Sequence, residues 1–149
     1  MGWMRSEEIF TQRRRGRRDH GVRAIDEISG DVIGASMAIH RELGPGLLES
    51  VYEAILASKL ARLGYEIEQQ KALSFSYEDM EFPAAFKIDL LVDRRLIVEL
   101  KSVERFQPVH SKQLLTYLRL MKLPVGPLIN FGCDTLKEGV KRVVNNHQD

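Results

Sequence analysis

Asp89, Glu99 and Lys101 lie in two apolar, β-branched-rich runs, residues 86–92 and 96–102, on either side of the polar segment Asp93-Arg94-Arg95. Such runs around a polar turn form a β-hairpin. With the turn centred on Arg94, Asp89 stands opposite Glu99, and opposed residues on one face have Cβ atoms roughly 5 Å apart. Lys101 follows Glu99 by two, so both side chains leave the same face of their strand. Ile88, Leu90, Val92, Leu96, Val98 and Leu100 make the other face apolar. Charges gathered within such strands are costly unless they pair or hold an ion. Two carboxylates on neighbouring strands offer oxygen ligands to a hard divalent ion such as Mg²⁺ or Mn²⁺, which takes a few carboxylates and keeps several waters. A held ion polarises a phosphoryl oxygen and lowers the pKa of a bound water. Lys101 would orient that water or offset charge developing on the phosphate. A Glu–Lys or Asp–Lys pair on a solvated sheet face explains the same residues without an ion, and their spacing alone does not decide between the two.

Two helical stretches offer walls for a site on this hairpin. Gly46, Glu49 and Tyr52 share one stripe at i, i+3 and i+6. Glu49 beside a helix start has a plain alternative role, a favourable interaction with the helix dipole. Tyr52, taken by itself, suits the core better than a functional role. Further on, His110, Gln113, Leu114 and Tyr117 fall at i, i+3, i+4 and i+7, one continuous face with three hydrogen-bonding side chains. The alternative there is a solvated face, with Lys112, Arg119 and Lys122 as ordinary surface charge or as contacts to a phosphate backbone.

Positioning these residues takes a sheet and its covering helices. Apolar positions Ile28, Val32, Ala35, Ile39 and Leu43 recur at helical spacing over 25–43, and Gly44-Pro45-Gly46 ends that helix. A second helix is expected over 46–63, closed by Gly64. Residues 65–70 and 73–77 read as two short strands, and 78–81 as a turn. The hairpin opens at Phe82 or Phe86, because Pro83 delays the strand proper. A third helix is expected over 109–121, a strand over 125–131 and a last helix over 136–144. The order is therefore ααββββαβα. A mixed sheet flanked by helices is the packing that buries the hairpin's apolar face, in the α/β or α+β class.

Composition narrows the setting. The chain has 149 residues, enough for a single core, with 44% hydrophobic and 29% charged residues. No apolar run reaches the roughly 18 residues of a membrane span, so no membrane partner is expected. The basic start of the chain is unlike a secretory leader, and the lone Cys133 fits a reducing cytoplasm. Net charge is +1, but residues 1–23 carry seven Arg against three acidic residues. Residues 24–149 then hold 15 basic and 18 acidic residues. We expect 1–23 to be a disordered basic arm and 24–149 a single domain, with polyanion attraction coming from the arm, a local patch or bound metal.

The motifs G-x-x-E-x-x-Y at 46–52, Ile88-Asp89-Leu90-Leu91-Val92, Ile97-Val98-Glu99-Leu100-Lys101 and Pro108-Val109-His110-x-x-Gln113-Leu114-Leu115-Thr116-Tyr117-Leu118 occur in that order. Together they resemble the GxxExxY proteins of the PD-(D/E)XK nuclease-like superfamily. The likeness runs over roughly residues 25–145 and leaves out the arginine arm. It implies a restriction-endonuclease-like core with a mixed central sheet and helices on both sides. It also implies that Glu49 is the acidic residue of the first core helix, Asp89 the motif aspartate, and Glu99 and Lys101 the E-x-K pair. Gln113 and Tyr117 resemble the Q-x-x-x-Y motif of RecB-like nucleases. Ile88 stands where the superfamily usually has proline; the nearest proline is Pro83.

The resemblance implies a metal-dependent nuclease that hydrolyses phosphodiester bonds, with DNA the expected nucleic acid. Glu49, Asp89, Glu99 and the Leu100 carbonyl would hold Mg²⁺ or Mn²⁺; Lys101 would assist the attacking water. Tyr52, His110, Gln113 and Tyr117 would contact substrate or brace the site. A homodimer or a larger protein partner is expected, because so small a chain covers little of a duplex. The alternatives are a non-catalytic nucleic-acid- or partner-binding protein that keeps the fold, and a scaffold whose charges only form salt bridges.

Overall fold

The computed structural model describes residues 23–146. The basic stretch expected to form an arm lies, up to residue 22, outside the described residues. Helix α1, Ile25–Leu43, buries Ile28, Val32, Ala35 and Ile39 along one stripe. It ends at Gly44, which adopts the left-handed φ of 71°. Helix α2 spans Glu49–Arg62, three residues shorter at its start than expected, because Gly46 has φ 107° and cannot enter a right-handed helix.

Where two strands were expected, β1 runs unbroken over Ile67–Tyr77. The polar residues near Lys71 do not break it, since β1 is an edge strand and its outward side is wet. Strand β2, Met80–Val92, also starts before Pro83. Pairing passes from Leu73↔Phe86 to Phe75↔Phe82, so the proline sits in a bulge where no ladder bond is asked of it. Strand β3 is Leu96–Lys101, α3 is Pro108–Met121 and β4 is Val125–Asn130. The helix expected over 136–144 is a correction: the chain forms a turn and then strand β5, Val140–Val144. Leu136, Val140 and Val143 do have helical spacing, but β5 pairs antiparallel with β4, and that tertiary pairing overrides the local pattern. The order is ααβββαββ.

The sheet order is β1-β2-β3-β4-β5. Only β3 and β4 are parallel, joined through α3; the other neighbours are antiparallel. Helices α1 and α2 cover one face, against Leu90, Val92, Val98 and Leu100. Helix α3 covers the other, with Leu114 and Leu118 against Leu91, Ile97 and Leu128. Ile88 was expected beside Leu90 and Val92 but packs with the α3 cluster instead. It lies beyond Asp89, where β2 has already left β3. The fold is thus a five-stranded mixed sheet with helices on both faces, the α+β arrangement expected. Among the described residues no helix is long and apolar enough to cross a membrane.

Candidate active site

The hairpin ladder is short: Leu90↔Val98, Leu91↔Ile97 and Val92↔Leu96. This is the register in which Asp89 falls opposite Glu99. The turn works because Asp93 and Arg94 both take positive φ, 51° and 58°, and Arg95 N–H closes it onto the Val92 carbonyl at 3.0 Å. Past Leu90, β2 stays paired with β1, while β3 runs on beside β4 as Glu99↔Leu128 and Lys101↔Asn130. The two strands therefore part at Asp89 and Glu99. Their side chains take over where the ladder stops. Asp89 N–H donates to Glu99 Oε1 at 3.1 Å, and Leu100 N–H donates to Asp89 Oδ2 at 2.8 Å. Glu99 is only 5% exposed. Burial first, and the Asp89 charge second, push its carboxyl up to about 8, against the smaller pull of the Asp89 N–H and of Lys101.

Helix α2 brings Glu49 to the same place. Its carboxyl is held above the usual range by burial, then by Asp89 and by Glu53, with Lys101 acting the other way. Asp89 and Lys101, from the two strands, thus act by charge on both Glu49 of the helix and Glu99. Glu53, one turn further along α2, is buried. It accepts Gln69 Nε2 at 3.1 Å and Gln70 Nε2 at 2.6 Å. Gln70 Nε2 also donates to Asp89 Oδ1 at 3.1 Å.

Helix α3 supplies the other wall. His110 sits at its first turn in a capping box with Gln107, whose N–H donates to His110 Nδ1 at 3.1 Å. That bond leaves the ring proton on Nε2. Burial, then the Lys101 charge, lower the imidazole pKa, so the ring is neutral near Lys101. Tyr117 stacks on Phe86 with ring centroids 4.6 Å apart. Burial and then the Glu99 charge raise its hydroxyl, opposed by a hydrogen bond with the exposed Gln113. Tyr52 stands elsewhere. It is fully buried, stacked on Phe131 at 4.3 Å, and its hydroxyl donates to the Gly44 carbonyl and accepts Leu47 N–H at 3.2 Å. A fully buried ring has no surface to offer a substrate, so Tyr52 fixes the α1–α2 loop instead. Leu100 has its side chain in the core and its N–H on Asp89.

The family model of the PD-(D/E)XK nuclease superfamily matches residues 26–143. The chain belongs to this superfamily. No match was found among curated proteins or among solved structures. The five-stranded mixed sheet between helical layers is consistent with the restriction-endonuclease-like fold of PD-(D/E)XK proteins.

For a PD-(D/E)XK nuclease the expected ion is Mg²⁺ or Mn²⁺. Among the described residues, no three His, Cys, Asp or Glu side chains close on one point as a metal cluster. What is present is a pair of carboxylates at the strand divergence, with a third approaching from α2. The donors are hard oxygens, and the crowding of like charge that raises Glu99 and Glu49 is what a divalent cation relieves. The set fits an ion that keeps waters in its shell rather than a fully caged one.

Three residues of this superfamily member were not singled out from the sequence. Glu53 had a legible signal, since it follows Glu49 by four and like charges at that spacing oppose each other unless both are engaged. Gln70 had none. Asn130 is fully buried; its amide accepts Val103 N–H at 2.9 Å and donates to the Val103 carbonyl at 2.8 Å, imitating a strand partner and holding the segment after Lys101.

Proposed function

We propose that this chain is a metal-dependent nuclease of the GxxExxY group that hydrolyses phosphodiester bonds in nucleic acid, with DNA the substrate to test first. The observation that carries this reading is the meeting of Asp89 and Glu99 where β2 leaves β3, with Glu49 and Lys101 near enough to shift Glu99 or one another. A divalent ion, when bound, supplies Lewis-acid polarisation of a phosphoryl oxygen. Glu49, Asp89, Glu99 and the Leu100 carbonyl are the groups that would hold it. The burial and the Asp89 charge that raise the Glu99 carboxyl would be offset by an ion held there, favouring its ionised, ligating form. Lys101 then serves as a fixed cation beside the attacking water and offsets the negative charge that builds on the phosphate oxygens. His110, neutral and with its proton on Nε2, can donate to a phosphate oxygen without adding charge. Gln113 and Tyr117 line the α3 side and orient the scissile segment.

Cleavage of single-stranded, duplex and branched DNA, and of RNA, with Mg²⁺ or Mn²⁺ tests this. The expected result is turnover by the parent and none by Lys101→Ala. A parent inert on every substrate, or a Lys101→Ala protein as active as the parent, overturns it.

A second reading has one observation in its favour: no closed metal cluster forms among the described residues. A non-catalytic member would bind nucleic acid or a protein partner through the same fold. It predicts binding that Asp89→Asn leaves intact, with no cleavage under any ion. A homodimer that lengthens the contact on a duplex belongs to either reading and is read from the mass of the protein in solution.

A further inference from the structure

Gln69 and Gln70 are consecutive residues of β1, and neighbours on a strand point to opposite faces. Yet both donate to the same Glu53 carboxylate, Gln69 to Oε2 and Gln70 to Oε1. The backbone explains how. Gln70 has φ 49°, the left-handed region that side chains other than glycine rarely adopt, and it falls between the pairs Gln69↔Leu90 and Lys71↔Ile88. The twist turns its side chain to the side of α2 without breaking the register of β1. Held there, the amide nitrogen directs one proton to Glu53 Oε1 and the other to Asp89 Oδ1, at 2.6 and 3.1 Å. Asp89 Oδ2 is taken by Leu100 N–H. Both oxygens of the carboxylate are therefore aimed, one from β1 and one from β3.

We propose that Gln70 is a positioning residue: with Glu53 as its anchor on α2, it fixes the rotation of the Asp89 carboxylate and ties α2 to the strand divergence. Gln70 is exposed, so burial does not hold it there; the backbone conformation that costs energy and the two bonds from one amide are what fit it to such a task. Gln suits the position because its neutral NH₂ group donates to both carboxylates at once; Glu there would add a third negative charge beside Glu53 and Asp89. This rests on the nuclease reading only in saying that an ion profits from the aim of Asp89. Residues that orient ligands in this way typically change metal affinity by about 10–100-fold when removed.

The test uses the full chain with two readouts, Mn²⁺ affinity by calorimetry and hydrogen exchange of the Leu100 amide without metal. Gln70→Ala and Gln70→Glu are expected to weaken Mn²⁺ binding about tenfold or more and to speed Leu100 exchange, with amides of the core strands unchanged. Gln69→Ala, which removes a bond to Glu53 but none to Asp89, should do much less. Unchanged Leu100 exchange in Gln70→Ala overturns the proposal, whatever the parent does with Mn²⁺. So does a Gln69→Ala effect equal to that of Gln70→Ala. A parent that binds no Mn²⁺, together with faster Leu100 exchange in Gln70→Ala, leaves the positioning role standing and overturns the nuclease reading instead.

Discussion

Asp89 and Glu99 each hold the other's strand: Glu99 accepts the backbone N–H of Asp89, and Asp89 accepts the backbone N–H of Leu100, next to Glu99. Two carboxylates thus replace ladder bonds at the point where the sheet divides. The same bonds that position them also carry part of the fold, so alanine at either position confounds chemistry with structure. Asp89→Asn keeps an acceptor oxygen for Leu100 and removes the charge. It should fold with a Tm near the parent's and lose cleavage. Circular dichroism melts beside a cleavage assay check this; full activity in Asp89→Asn would count against the site.

Lys101 has no such structural debt: among the described residues its side chain makes no hydrogen bond or ion pair, and it acts on Glu49 and Glu99 only through its charge. Lys101→Ala should lower cleavage by a factor on the order of 100 or more, as removing a single group that stabilises developing charge does. Thermal stability should stay within a few degrees. Single-turnover rates at saturating Mn²⁺ separate this loss from weaker substrate binding.

Stability should depend on pH through Glu99. Its carboxyl rises from the ordinary 4.5 to about 8 on folding, so between those values the folded state binds more protons than the unfolded one. Stability is then fully present below 4.5 and is lost as pH climbs through about 8. In a chelator, melts at about pH 5 and about pH 8 should show the parent losing Tm with rising pH and Glu99→Gln losing much less. Equal slopes in the two proteins would contradict the burial account.

Tyr52→Phe keeps the stack on Phe131 and leaves the Gly44 carbonyl and Leu47 N–H without their shared hydroxyl. The cost should be about 1–3 kcal/mol, the penalty for unpaired buried polar groups. Denaturant unfolding measures it. Tyr117→Phe is the contrasting variant: it keeps the ring on Phe86 and loses only a hydroxyl whose charge environment is set by Glu99 and Asp89. Its expected effect is on cleavage, about tenfold, with little change in stability.

Much of the site was legible because its determinants are local. A hairpin centred on Arg94 makes the Asp89–Glu99 opposition a matter of counting, and a period of two puts Lys101 on the same face as Glu99. The stripe of α3 likewise follows from a period of 3.6 residues. Tyr52 shows the limit of such counting. It shares the helical stripe of Glu49, but a stripe a few residues long spans both a site wall and a core, and only packing says which end is which.

The chain's own pattern determined two amphipathic helices, a hairpin with three charged residues on one face, and a third helix with a polar stripe. Tertiary structure decided what those patterns could not contain. Residues 136–144 became a turn and a strand because β4 offered an unpaired edge. Gln70 reached Asp89 because one left-handed residue turned it toward Glu53. Above all, β2 and β3 parted at Asp89 because β2 stays paired with β1 while β3 runs on beside β4. That divergence is a competition among strands distant in sequence, and it made an opposed pair of carboxylates into the floor of a candidate active site.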